Sequence, residues 1–352
     1  GSGDWALSVP EPGSVRARDC LTGVDVLTEA AVIAARSRLD PAAGVLLRAV
    51  WAEGASQLAL IIHHLAVDGV SWRILLEDIN IAWAQHHSGQ PIALPAGGTS
   101  FARWSKVLAK HAHTDDALRQ AESWRQITAA PPALPPVEPC RDTYANAGQL
   151  SVSLDTDTTR RLLGEVPAAF HAGVQDILLI AFALAFKEFL GSDAPIGIDV
   201  EGHGRAEELV ADEVDLSRTV GWFTAKYPVA LSLGEISWDQ VVAGEAPLGA
   251  VIKAAKEQLR ALLDGLTYGL LRYLNPDVAL DAADPAIGFN YLGRLGTGEL
   301  SDDLWRMDAD ASSLLSAAAA IDMPLMHTVG VNAGTLDTES GPTLQASWTW
   351  AT

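Results

Sequence analysis

The amino-acid sequence predicts an α/β protein built from two lobes. Its 352 residues exceed the usual length of a single domain. Stretches with strand and helix periodicity alternate along it, and a proline-rich run at residues 131–136 divides them into two groups. The chain is 49% hydrophobic and 19% charged, which favours a packed globular body over a disordered chain. We therefore predict a first lobe at residues 4–129, a linker at 130–147 and a second lobe at 148–352.

In the first group, the patterns lead to a pair of histidines. Periodicity predicts a helix at Val26–Ser37, a hairpin of strands Gly44–Trp51 and Gln57–His63, a helix capped by Ser71, and helices at Phe101–Ala112 and Asp115–Ile127. The residues 53 and 54, Glu-Gly, are expected to form the turn of the hairpin. His63 and His64 should therefore lie where a strand ends and shortly before a helix begins.

In the second group, strands and helices again alternate. The strands are predicted at Gln149–Leu154, Pro195–Val200, Trp222–Leu231, Ala286–Tyr291 and Leu344–Trp350, and the helices at Asp155–Leu163, Val174–Phe189 and Leu248–Leu263. The longest apolar stretch, Ile177–Phe186, is shorter than the roughly 20 residues that cross a bilayer. It is expected to be a buried helix, and we expect no membrane partner.

Charge and cysteine content exclude several classes of protein. The net charge is −20, with 44 acidic against 24 basic residues, so the electrostatic signature of a nucleic-acid-binding protein is absent. The two cysteines form no C-x-x-C pair, which is typical of a cytoplasmic protein. Neither a histidine-rich metal motif nor a phosphate-binding glycine motif occurs, so we expect no metal and no intrinsic cofactor.

The first motif with chemical potential is His63-His64-Leu65-Ala66-Val67-Asp68-Gly69. A histidine exposed at a strand end before a glycine can move protons near neutral pH. His64 is the candidate base, whereas His63 is expected to be a hydrogen-bonded scaffold residue. From spacing alone, a purely structural role for the pair stays open.

The second motif is Glu201-Gly202-His203-Gly204-Arg205, which follows a predicted strand. A carboxylate at a strand end can face a cleft, and the glycines permit close backbone approach. Three further stretches follow in order, R-T-V-G-W-F-T at 218–224, Y-G-L-L-R-Y at 268–273 and F-N-Y-L-G at 289–293. By itself the glutamate motif is equally compatible with a surface turn.

Together these motifs resemble those of the condensation superfamily of non-ribosomal peptide synthetases, and specifically its epimerisation branch. The resemblance implies two chloramphenicol-acetyltransferase-like lobes that form a V around a central cleft or tunnel. It implies that His64 is catalytic and that Asp68 holds its loop through a buried ion pair. The sequence does not name the arginine in that pair; Arg205 could pair with Asp68 or orient Glu201.

Inverting an α-carbon requires proton transfer on opposite faces of a planar enolate. His64 and Glu201 are therefore expected to act on the two faces, and which group serves which face stays open. A donor should stabilise the developing thioester oxyanion. Asn290 is the candidate, and capping of a strand end is the alternative. Trp222 and Tyr291 are expected to pack in the core or the cleft wall rather than to take part in proton transfer.

The resemblance also implies the partners. The substrate would be an aminoacyl or peptidyl thioester on the 4′-phosphopantetheine arm of an upstream peptidyl carrier protein, with a condensation domain downstream. Arg218 and Lys226 are candidates for a carrier-docking cluster, with ordinary surface charge as the alternative. Family members begin with a P-I-Q-x-W-F segment and end in a further helix, so we expect both ends to be shortened. A peptide-bond-forming domain and an inactive carrier-docking domain are the alternative functions.

Overall fold

The structure, a computed structural model, describes residues 6–11, 13–210, 214–262, 264–294, 305, 322–338 and 340–352. These residues divide into two compact units, of which the first ends at Val67 and the second begins at Asp68. The lobe boundaries predicted at residues 129 and 147 do not coincide with this division and stay a prediction. Each unit has a β-sheet of its own.

The first unit contains a three-stranded sheet with the order β1-β2-β3. Its elements are α1 (Ala17–Cys20), β1 (Leu21–Val24), α2 (Glu29–Arg36), β2 (Leu47–Ala52) and β3 (Gln57–Ile62). β1 pairs with β2 in parallel, and β2 pairs with β3 as the predicted hairpin. A 3₁₀ turn at Glu53–Ala55 joins the two hairpin strands, and Ser56 closes it in the left-handed conformation. Because β3 ends at Ile62, the two histidines follow directly, as predicted.

The second unit contains a six-stranded mixed sheet surrounded by helices. Its strands are β4 (Gly148–Ser153), β5 (Ile196–Gly202), β6 (Ala225–Leu231), β7 (Ile287–Arg294), β8 (Val329–Thr338) and β9 (Gly341–Trp350). Its helices are α3 (Gly69–His87), α4 (Phe101–His111), α5 (Asp115–Arg119), α6 (Ala121–Thr128), α7 (Thr156–Leu163), α8 (Glu165–Phe170), α9 (Val174–Leu190), α10 (Trp238–Val242), α11 (Ala246–Ala261) and α12 (Leu266–Leu274). The strand order is β4-β9-β8-β7-β5-β6, with β5, β7 and β8 parallel to one another.

The main hydrophobic cluster of the second unit lies on one face of this sheet. The helix α9 is apolar along almost its whole length and packs there together with α11. The strands contribute every second side chain to this core, among them Ile198, Val200, Phe289 and Val331. Since side chains alternate along a strand, the residues between these apolar positions must lie on the opposite face. That opposite face carries the candidate site.

Several local predictions need correction. The N-cap of α3 is Asp68 rather than Ser71, because the Asp68 carboxylate accepts a hydrogen bond from the Ser71 amide at the start of the helix. The single helix predicted at Asp115–Ile127 is divided at Gln120 into α5 and α6. The strand predicted from Trp222 begins at Ala225, and the strand predicted to end at Tyr291 continues to Arg294. The Asp155 cap of α7 is confirmed.

Within the described part of the chain, no single helix has both the length and the apolar character needed to cross a membrane. The segments Thr156–Phe170 and Val174–Leu190, which are bent by 95° at the break between them, satisfy the same test only as a pair.

Candidate functional site

The polar face of the six-stranded sheet carries small and polar residues where the core face carries large apolar ones. β5 contributes Asp199 and Glu201, and β7 contributes Gly288 and Asn290, all at alternate positions between core residues. These four residues line a cavity of about 80 Å³. The small residues on the polar face of the sheet thus leave space next to ionisable groups, as is found at binding sites.

Glu201 is held in this cavity by Asn290. The Asn290 amide Nδ2 donates a hydrogen bond to Glu201 Oε2 over 2.8 Å. Asn290 lies within β7 and not at its end, so the interpretation that it caps a strand is wrong. Its expected role as a donor to a thioester oxygen stays a prediction. In the present arrangement its amide orients the carboxylate, because the bond fixes one of the two carboxylate oxygens.

Tyr144 forms another wall of the cavity. Its segment is fixed by a hydrogen bond from the Tyr144 amide to the Met323 carbonyl, 3.0 Å long, and by the β-bridge between Thr143 and Pro324. Burial raises the pKa of the Tyr144 phenol above its usual value; the Met326 backbone lowers it, and the negative charge of Glu201 adds to the increase. Tyr144 therefore stays protonated at neutral pH, as a neutral neighbour of the Glu201 carboxylate.

A buried ion pair lies beside Glu201. Asp199 is only 2% exposed, and its Oδ2 is 3.0 Å from His327 Nε2 and 2.9 Å from Lys226 Nζ. The imidazole of His327 occupies the space over Gly288, where an added Cβ would overlap the ring. A glycine in β7 is therefore what allows His327 to reach Asp199.

This pair continues into a chain of alternating charges. Lys226 also binds Asp284 over 2.6 Å, and Asp284 binds Arg272 of α12. Burial lowers the pKa of Lys226, but Asp199 and Asp284 outweigh it and the net pKa is raised. Burial raises the pKa of Asp284, but Lys226 and Arg272 outweigh it and the net pKa is lowered. Lys226 and Asp284 are therefore both charged at neutral pH.

Asp68 and Arg205 form a second buried ion pair, which answers the question left open by the sequence. Arg205 Nη2 lies 3.2 Å from Asp68 Oδ1, and the two side chains are 8% and 3% exposed. Asp68 Oδ2 also accepts a hydrogen bond from the Phe223 amide over 3.1 Å. The carboxylate is thus fully engaged in holding structure together, and Arg205 pairs with Asp68 rather than with Glu201.

Arg205 brings three of the sequence motifs together. Its Nη1 donates to the carbonyl oxygens of Leu216 and Thr219, both over 2.7 Å, and its guanidinium stacks on the ring of Phe223 at 3.9 Å. Gly204, with a φ of +64°, lies so close to Phe223 that an added Cβ would overlap the Phe223 carbonyl oxygen. The glycine of the second motif is therefore required for this close approach.

The histidine motif has a structural member and an exposed one. His63 caps the short 3₁₀ turn at His64–Ala66, because its Nδ1 accepts a hydrogen bond from the Leu65 amide over 3.2 Å. This contact agrees with the scaffold role expected for His63. His64 is exposed. A Cβ at Gly69 would meet no described heavy atom within 4 Å, so local packing does not require that glycine.

The remaining residues singled out from the sequence have structural contacts. Tyr291 packs against the core and its hydroxyl is 3.1 Å from Thr335 Oγ1, as expected for a packing aromatic. Trp222 is 43% exposed and so is not a core residue. Arg218 pairs with Glu77 and Asp78. Arg218 and Lys226 are thus both bound to carboxylates of this chain, and their part in a carrier-docking cluster stays a prediction.

Comparison with known proteins identifies the family. The family model described as "Condensation domain" matches residues 27–318. The chain belongs to the condensation-domain family. Chondramide synthase cmdD from Chondromyces crocatus is 41% identical over 281 residues, which are 76% of this chain and 7% of that synthase. Bacitracin synthase 2 from Bacillus licheniformis is 40% identical over 268 residues, which are 75% of this chain and 10% of that synthase. The condensation-family chain thus spans a small fraction of these relatives.

Solved structures of the family have the same fold. The epimerization domain from the third module of tyrocidine synthetase B matches with a TM-score of 0.74 and 29% identity, over 94% of this chain and 73% of that one. The first condensation domain of the CDA synthetase matches with a TM-score of 0.61 and 15% identity, over 99% of this chain and 73% of that one, and supports the fold alone. The predicted α/β class with chloramphenicol-acetyltransferase-like lobes is confirmed. The V-shaped arrangement and the central cleft stay predictions.

Sequence reasoning missed three members of this condensation-domain site: Tyr144, Asp199 and His327. A signal for Asp199 was present, since residues two apart in a strand share a face and Glu201 was already a candidate. Tyr144 and His327 lie in irregular segments far from Glu201 in sequence. Only the pairing of strands and the bridge between residues 143 and 324 bring them to the cavity.

Proposed function

We propose that this chain is an epimerisation domain of a non-ribosomal peptide synthetase. Its reaction is the conversion of a carrier-bound L-aminoacyl or peptidyl thioester to the D form by acid/base proton transfer. The observation that carries the proposal is the Glu201 carboxylate on the polar face of the sheet, oriented by Asn290 and lining a cavity. The likeness to an epimerization domain of tyrocidine synthetase B supports it.

The chemistry needs two proton-transfer groups. Abstraction of the α-proton places negative charge on the thioester oxygen, and return of a proton to the other face completes the inversion. In this proposal Glu201 serves one face and His64 the other, and Asn290 is the candidate donor to the thioester oxygen. We predict that His64 and Glu201 face one another with the thioester between them.

The carrier and its arm belong to the same proposal. The substrate is presented on the 4′-phosphopantetheine of an upstream peptidyl carrier protein, and a condensation domain uses the product. The synthase relatives are far longer than the matched region, which is consistent with neighbouring domains of this kind. A cytoplasmic location and the lack of an intrinsic cofactor remain part of the proposal.

Peptide-bond formation is the second candidate function. It is favoured by the match to the condensation-domain family model and by the His63–Gly69 motif, which the resemblance assigns to the whole superfamily. In that reaction His64 would act on an incoming amine. The reaction gives Glu201 no proton-transfer role, and the placement of its carboxylate in the cavity therefore favours epimerisation.

The proposal is tested with a carrier protein loaded with an L-aminoacyl phosphopantetheine. Incubation with the domain in D₂O should give D-aminoacyl product with deuterium at the α-carbon, measured by chiral chromatography and mass spectrometry after thioester hydrolysis. Epimerisation needs no acceptor, so the assay runs without an acceptor-loaded carrier. Retention of the L configuration and of the α-proton would exclude epimerisation, and peptide formation on adding an acceptor would establish the second candidate.

Substitutions then test whether His64 and Glu201 are the two proton-transfer groups. His64→Ala and Glu201→Gln should each slow α-proton exchange by roughly 10²–10⁴-fold, as expected for loss of a general acid or base. His203→Ala is the matched control, because His203 lies in the same motif and its Nδ1 accepts a hydrogen bond from the Arg205 amide. An unchanged exchange rate in either first variant, with its fold intact, would remove that residue from the mechanism.

A further inference from the structure

Two carboxylates share the polar face of β5. Asp199 and Glu201 are two residues apart on one strand, so their side chains lie on the same side of the sheet. Both line the cavity of about 80 Å³. Like charges placed so close oppose each other's ionisation. Without a compensating cation, the two carboxylates would titrate as a coupled pair, and neither would have a defined proton affinity of its own.

Lys226 supplies the compensating cation. It stands directly opposite Glu201 in the register of β5 and β6, and its ammonium reaches diagonally to Asp199 at 2.9 Å. Asp199 is 2% exposed, so solvent cannot replace this partner. Farther from the cavity, Asp284 and Arg272 extend the network with one charge of each sign.

We infer that Lys226 is a positioning residue for Glu201: by neutralising Asp199, it leaves Glu201 as the carboxylate of the pair that gives and takes protons. The assignment of proton transfer to Glu201 rests on the proposed function, whereas the electrostatic coupling does not. The other ionisable groups that face Glu201 from the described walls of the cavity are Tyr144 and His327. Tyr144 is neutral, and His327 is bound to Asp199.

The raised pKa of Lys226 agrees with this role. Burial alone would lower it, but the two aspartates outweigh burial, so the ammonium keeps its charge over the whole range in which a carboxylate titrates. Removing the cation would expose Glu201 to the charge of Asp199. The ionisation of Glu201 would then require a higher pH.

The test measures the titration of the Glu201 side chain directly. The domain is labelled with ¹³C at the glutamate carboxyl carbon, and the resonance of Glu201 is identified by its absence in Glu201→Gln. In Lys226→Met the midpoint should rise by roughly one to two pH units. In Lys226→Arg, which keeps the charge, it should stay close to that of the unaltered domain. In Lys226→Met combined with Asp199→Asn, which removes both charges, it should return towards the unaltered value.

An unchanged midpoint in Lys226→Met, or a double variant shifted as far as the single one, would overturn the inference. If Lys226→Met does not fold, Asp199→Asn alone decides: the freed ammonium should lower the midpoint of Glu201, and an unchanged midpoint would refute the coupling. Failure of the proposed function has a different signature. The unaltered domain would then show no α-proton exchange, while the Glu201 titration would still respond to Lys226.

Discussion

At the scale of single residues, the three carboxylates Asp68, Asp199 and Glu201 differ in their burial and in their surroundings. Asp68 and Asp199 are almost fully buried and each binds a cation, and Glu201 lines the cavity, where the Asn290 amide binds one of its oxygens. Removing either aspartate side chain would leave a buried cation without its partner. Chemistry is therefore expected at Glu201 and structural support at the two aspartates.

This division makes a prediction for Asp68. Asp68→Ala should reduce the free energy of unfolding by about 3–5 kcal/mol, because it leaves Arg205 buried without its partner. The measurement is denaturant unfolding, followed by tryptophan fluorescence. The matched control is Asp157→Ala, which removes an exposed i,i+3 ion pair with Arg160 and should change stability by less than about 1 kcal/mol. An Asp68→Ala variant with unaltered stability and no exchange activity would instead make Asp68 a catalytic residue.

At the scale of secondary-structure elements, close packing on the polar face depends on particular glycines. Gly288 of β7 and Gly330 of β8 are register partners on this face, and both line the cavity. They differ in what lies above them. An added Cβ at Gly288 would overlap the His327 ring, whereas one at Gly330 would meet no described heavy atom within 4 Å. The two positions therefore form a natural pair of test and control.

Gly288→Ala should displace His327 from Asp199 and cost about 1–3 kcal/mol of stability, the usual range for overpacking. Gly330→Ala should be neutral, or stabilising by about 0.4–1 kcal/mol, because alanine restricts the unfolded chain. Thermal and denaturant unfolding of both variants provide the comparison. Equal effects at the two positions would show that the His327 ring adapts freely, and that its bond to Asp199 contributes little to stability.

The elements that the sequence predicted well are those whose signals are local. The apolar helix α9 and the Asp155 cap of α7 follow from adjacent residues, and both were placed correctly within a residue or two. β8 was missed because glycine and asparagine, which are rare in strands, occupy every second position at residues 330, 332 and 334. Gly330 and Asn332 also line the cavity, so two of the residues that made β8 hard to predict belong to the candidate site. The remaining residues of the site come together only through pairing between segments that are far apart in sequence, which local patterns do not predict.

At the scale of the whole molecule, whose net charge is −20, individual ion pairs differ in how much they contribute to the stability of the fold. Exposed ion pairs such as that of Arg16 and Asp19 contribute little, because water and salt screen them. The partly buried network at Asp284 is different, since its contribution to stability depends on whether the Asp284 carboxyl group is ionised. The lowered pKa of Asp284 means that its ionised carboxylate is more stable in the folded protein than in the unfolded chain. Asp284 therefore couples the stability of the fold to pH.

The sign of this coupling gives a prediction for acid unfolding. A group with a depressed folded-state pKa stabilises the fold above its unfolded value, near 3.9 for aspartate, and that stabilisation is lost as the pH falls through the folded value. The difference in unfolding free energy between the unaltered protein and Asp284→Asn should thus be constant from about pH 7 to 5 and shrink below about pH 4. Urea unfolding at a series of pH values measures it. Asp281→Asn is the control, since Asp281 is exposed and has no ion pair among the described residues. A difference that stays constant down to pH 2.5, about one unit or more below the unfolded pKa, would show that Asp284 is not the group whose protonation loosens the network.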